Sequence, residues 1–138
     1  MHVTVSWKGK MAFEGLSGSG HRVMADARPE VGGENRGPSP MELVLIGLGG
    51  CTGMDVVSIL EKMRVSYDDF KISISAERKE EHPKTFSRVS LLYEIWGKDV
   101  PEDKLKRAVD LTQEKYCSVL HMVNKTAAIE YSYKIHQS

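Results

Sequence analysis

Cysteine is scarce in this sequence: Cys51 and Cys117 are the two among 138 residues. So sparse a pair excludes a disulfide-built scaffold and turns attention to thiol chemistry. An excess of either charge is lacking too. Nineteen Lys and Arg balance nineteen Asp and Glu, whereas a nucleic-acid binder normally carries a basic surplus on one face. Long apolar runs are also missing. The longest uncharged stretch, Leu43 to Met54, has 12 residues, short of the ~20 that cross a bilayer. Met1 to Lys8 alternates instead of joining a charged segment to an apolar block, so no secretion signal is expected. What remains is 41% hydrophobic and 28% charged, which excludes a disordered chain. These traits predict one domain over residues 1–138, cytoplasmic, with neither nucleic acid nor membrane as partner.

The hydrophobic periodicity predicts an α+β fold in the order βββ-α-ββ-α-β with antiparallel sheets. Residues 1–27 read as a meander, with Val3, Val5 and Trp7 half-buried and Phe13 inward. Residues 28–39 form a loop rich in Gly, Pro and charge, long enough to suggest a functional role. Ser39-Pro40-Met41-Glu42 is a helix start: serine as N-cap, proline at the first helical position and glutamate three residues after the serine. The helix is expected over 40–64. Its first turns are apolar on every side, which requires burial on every side and points to a second subunit. Its glycines at 47, 49, 50 and 53 would let another backbone approach. A hairpin is predicted over 70–96, a second helix over 101–120 opening at Pro101, and a last strand over 126–135.

Cys51 lies within Gly49-Gly50-Cys51-Thr52-Gly53. Free cysteine is often a small core residue, but glycines on both sides leave room for a substrate beside the sulfur. An unbroken helix from Pro40 gives this thiol little help from the helix dipole; a break at Gly49-Gly50 gives it more. Asp55, one turn later, opposes thiolate formation, so a cation must come from elsewhere. Arg36 and Glu42, in the loop and helix start leading to Cys51, are the foremost candidate supports, as an Arg–carboxylate pair would stabilise a thiolate. Lys10, Arg22, Arg28 and Glu34 are further candidates. Cys117 would resolve a sulfenic acid on Cys51 if the helices pack together. His121, four residues after Cys117, shares a face with it on a continuing helix. That arrangement offers either a base for the thiol or, with Cys51, a metal site. Metal ranks below redox, because the short paired spacings of structural zinc sites are missing.

The stretch Gly37-Pro38-Ser39-Pro40-Met41-Glu42-Leu43, the run Gly49-Gly50-Cys51-Thr52, Asp55-Val56-Val57 and Glu114-Lys115-Tyr116-Cys117 resemble the OsmC/Ohr family. That family takes its name from osmotically inducible protein C and organic hydroperoxide resistance protein. The resemblance covers nearly the whole chain. It implies an intertwined homodimer with the long helices at its centre. It also implies thiol-dependent reduction of organic hydroperoxides, with Cys51 peroxidatic, Cys117 resolving, an external dithiol as reductant, and neither metal nor flavin. Two positions depart from the well-studied peroxidases: Met41 stands where they carry glutamate, and Lys10 where they carry arginine. The Pro-Met-Glu order is closer to a less characterised branch. The rival expectation is an OsmC-like small-molecule-binding or stress-response protein without peroxidase activity.

Overall fold

The computed structural model describes residues 1–137, which form two compact units, 1–46 and 47–137. In the first, β1 (Val3–Trp7), β2 (Phe13–Ser17) and β3 (Arg22–Ala25) make an antiparallel meander. Its register sets Trp7 opposite Phe13 and Val5 opposite Gly15, so Val3, Val5, Trp7, Phe13 and Val23 share one face. The alternation is as the sequence predicts, but the burial is not. Val3, Val5 and Trp7 are 58%, 62% and 66% exposed, and Phe13 is 41% exposed. The period-2 pattern specifies a face; this chain does not cover it.

The following loop is organised by Asp26, a residue that no spacing or motif distinguishes. Asp26 is buried, and its carboxylate accepts backbone N–H groups from Ala27 (2.7 Å), Arg36 (3.0 Å) and Glu34 (3.3 Å). The Arg36 N–H is the main cause that holds its carboxyl below the ordinary 3.8; burial pushes the other way. The contribution of this carboxylate is therefore complete above pH 3.8 and is lost as pH falls through the lower folded value. Amide exchange at Ala27, Glu34 and Arg36 should accelerate over that acid window. Asp26→Ala should accelerate it above that window, where the carboxylate is charged.

Helix α1 (Pro40–Lys62) runs without a break through all four glycines, so Cys51 sits mid-helix and gains little from the dipole. Its start is a capping box: the Ser39 N–H donates to Glu42 Oε1 at 2.9 Å, and the Glu42 N–H donates to Ser39 Oγ at 3.2 Å. The helix is long and apolar enough to cross a membrane. However, Leu48, Thr52, Val56 and Leu60, spaced by four, are fully buried within the chain. Ile46, Met54 and Val57 on its other sides stay 40–75% exposed.

In the second unit, β4 (Asp69–Arg78), β5 (Phe86–Gly97) and β6 (Ala128–Gln137) form a sheet with β5 central. β4 and β5 are an antiparallel hairpin, but β6 runs parallel to β5. This corrects the expectation of purely antiparallel sheets: the helical segment between β5 and β6 is a crossover, the connection parallel strands require. The register aligns Ile72, Tyr93 and Tyr133, and likewise Ile74, Leu91 and Tyr131, on one face. Gly49 and Gly53 bring α1 onto that face. A β-carbon would stand 3.1 Å from Ile74 Cδ1 at the first and 3.3 Å from Ile72 Cδ1 at the second. Gly47 and Gly50 face open space. The core beneath is Leu48, Val56, Leu60, Val89, Leu91, Ile95, Leu105 and Val109, each such side chain contributing about 1.5–3 kcal/mol on burial.

The second predicted helix is not continuous. α2 (Glu102–Leu111) passes into one wide turn, Thr112–Tyr116, closed by the Cys117 N–H donating to the Thr112 carbonyl at 3.0 Å. Cys117 is extended (φ −77°, ψ 102°), and a short α3 (Ser118–Val123) begins after it. The break keeps His121 from continuing α2's face; it is exposed on α3.

Candidate active site

Within the second unit, Cys51 and Asp55 stand one turn apart on α1, and Cys117 reaches them from the break between α2 and α3. Both sulfurs and a carboxylate oxygen of Asp55 all lie within 4.8 Å of one another. The two thiols are not equivalent. Cys51 is half-buried, whereas Cys117 is completely buried and its sulfur accepts the Leu120 N–H at 3.4 Å, capping α3. Burial pushes the Cys117 thiol up to about 12. The Leu120 N–H works against that shift, and Cys51 and Asp55 beside the sulfur add to it. Cys117 is accordingly a neutral thiol at physiological pH.

Behind the thiols runs a chain of buried polar groups. Thr112 Oγ1 donates to Asp55 Oδ2 at 2.9 Å, Thr52 Oγ1 lies 3.1 Å from Thr112 Oγ1 and 2.7 Å from the Tyr93 hydroxyl, and Gln113 Nε2 donates to that hydroxyl at 2.8 Å. The ends fix the direction. Each hydroxyl has one proton, and Thr112 gives its own to the carboxylate, so it accepts from Thr52. Thr52 must then accept from Tyr93. The donors thus point one way, from the Gln113 amide through Tyr93, Thr52 and Thr112 to Asp55. Burial raises the Tyr93 phenol above its ordinary value, which keeps it a neutral donor. The wide turn makes this possible, because Thr112 and Gln113, at its start, are both buried. Beside Asp55 opens a groove of about 470 Å³, lined among others by Ile59, Lys62, Arg107, Leu111 and Tyr116.

The structure therefore brings Cys51 and Cys117 together and adds Asp55, which in the sequence reads only as a charge unfavourable to a thiolate. Tyr93, Thr112 and Gln113 carry no sequence signal of their part in the site. Thr52, a polar residue within an all-apolar run, is the one hint of the buried chain. The remaining candidates lie in the first unit. The Glu42 carboxylate is engaged in the capping box. Lys10 pairs with Glu34 at 3.6 Å, Arg22 with Glu14 at 2.6 Å and Arg28 with Glu30 at 3.8 Å. Arg36 donates to the Lys8 carbonyl at 3.3 Å and makes no ion pair among the described residues. His121 is not part of the thiol–carboxylate cluster.

The two-sheet α+β fold of this chain has known counterparts. The chain belongs to the OsmC-like protein family, which matches residues 33–132. It is 40% identical over 135 residues to Protein YhfA of Escherichia coli (strain K12), with 98% of each chain covered. Among solved structures it resembles a hypothetical protein from Aquifex aeolicus VF5 at 34% identity and TM-score 0.87, covering 99% of this chain and 96% of that one. The organic hydroperoxide resistance protein OhrB of Bacillus subtilis has the same fold at 19% identity and TM-score 0.64, with 96% of each chain covered.

Proposed function

We propose that the protein is a cytoplasmic, homodimeric thiol peroxidase that reduces organic hydroperoxides to alcohols in oxidative-stress defence. The observation that carries this reading is the pair of sulfurs within 4.8 Å, one accessible and one completely buried. The unequal burial supports a division of roles. Cys51 attacks the O–O bond, giving the alcohol and a sulfenic acid. Cys117, held as a thiol, then displaces the sulfenic oxygen as water and forms the disulfide. An external dithiol returns both to thiols, becoming a disulfide itself. The groove beside Asp55 favours an organic tail, which gains from burial where hydrogen peroxide does not. Two exposed apolar surfaces, the Val3–Val5–Trp7–Phe13 face and the outer sides of α1, support a second copy of the chain as partner; monomeric proteins rarely leave such patches open.

The test is to add one equivalent of cumene hydroperoxide to the reduced protein and count thiols. Loss of two thiols per chain with equivalent peroxide consumed is the expected result; two surviving thiols with intact peroxide refute the reading. The engagement of Glu42 in the helix cap favours a second reading, a small-molecule-binding or stress-response protein that keeps the fold without the catalysis. Under it, Cys51→Ser leaves ligand binding and cellular protection intact.

A further inference from the structure

We infer that the reduced protein holds a thiophilic divalent cation, such as zinc, on Cys51 Sγ, Cys117 Sγ and a carboxylate oxygen of Asp55. The set is chemically suited: two sulfurs and a carboxylate are common zinc ligands, and three protein ligands plus one open position is the arrangement of an accessible zinc site. The geometry is close to what the ion requires. With Zn–S bonds near 2.3 Å, sulfurs on a tetrahedral ion stand roughly 3.8 Å apart. The three donor atoms already lie within 4.8 Å of one another, so closure needs a contraction of about 1 Å or less.

Three further features support the site. Cys51 and Asp55 occupy positions i and i+4 of one unbroken helix, so two ligands share a rigid face. The Asp55 carboxylate is oriented from behind by Thr112 on Oδ2, as metal-bound carboxylates usually are, and its second oxygen is left for the ion. Asp55 also forms no ion pair with a Lys, Arg or His among the described residues. A carboxylate beside two ionisable thiols calls for a cation. A groove opens beside Asp55, and Cys51 is itself only half-buried. Binding is not a redox step. The ion displaces both thiol protons to solvent and forms two metal–sulfur bonds, so two protons leave per ion. Asp55 takes the place in the ligand set that the sequence had offered to His121. The ion takes no part in the peroxide chemistry, and its binding does not depend on that chemistry.

The reduced, full-length protein should be titrated with zinc against a chromophoric chelator, with proton release followed in weak buffer. One zinc per chain with about two protons released is expected, and cobalt should give a tetrahedral thiolate spectrum. Cys51→Ser should abolish both signals. Asp55→Asn and Thr112→Val, checked for folding by circular dichroism, should weaken binding by roughly 10–100-fold. Zinc binding no stronger than that of the Cys51→Ser variant overturns the inference, as does an affinity unchanged in folded Asp55→Asn. Neither readout involves peroxide, so this inference and the peroxidase reading fail separately.

Discussion

Cys51→Ser should lose peroxide reduction by at least about three orders of magnitude, the scale on which removal of a nucleophile acts. Cys117→Ser should behave differently. It should still consume one equivalent of hydroperoxide at close to the normal rate and then stop, with a sulfenic acid trapped on Cys51 that a dimedone-type reagent captures. The contrast follows from the burial of the two sulfurs: the half-exposed one meets substrate, the enclosed one meets only its neighbour. Stopped-flow peroxide consumption with the purified variants separates the outcomes. Equal loss in both variants would contradict the division of roles, and undiminished turnover in Cys51→Ser would contradict the reaction.

The second large effect is on stability. Thr52→Val keeps the shape of the side chain but removes the hydroxyl at the middle of the Gln113–Tyr93–Thr52–Thr112–Asp55 chain. The buried Tyr93 hydroxyl then has no acceptor and Thr112 no donor. An orphaned buried polar group costs about 1–3 kcal/mol, so the variant should be destabilised by about 2–3 kcal/mol. For a chain of this size that lowers Tm by roughly 6–12 °C. Thr52→Ser, which keeps the hydroxyl, should recover most of the loss apart from one buried methyl group, about 1 kcal/mol. Thermal unfolding of both variants at one fixed protein concentration checks the difference. Equal Tm values for valine and serine would mean that Thr52 matters only as volume.

The elements were legible in the sequence because periodicity and punctuation agreed. Ser39, Pro40 and Glu42 marked the start of α1 to the residue, and the alternation in residues 70–96 revealed the hairpin. The direction of β6 was not legible, since alternation reports which face is buried and nothing about which way a strand runs. The wide turn at Thr112–Tyr116 was equally hidden: residues 101–120 keep the helical pattern, and the extra residue in one turn is stabilised by contacts to Thr52 and Asp55 that are distant in sequence. The site was half legible. Cys51 and Cys117 could be named from their surroundings, but their separation depends on how two helices seat on β5. Glu42 was legible in a different respect, as a helix cap. The spacing that marks it as a cap is strong enough to account for the residue completely, and its carboxylate is occupied at the helix start.

One sulfur serves two masters. The same atom of Cys117 that faces Cys51 also terminates the donor row of a helix only six residues long. A new bond at that atom would bear on the anchor of Ser118–Val123, the segment that carries the exposed His121 and Met122. The surroundings of an enclosed sulfur are thereby linked to the outside of the molecule.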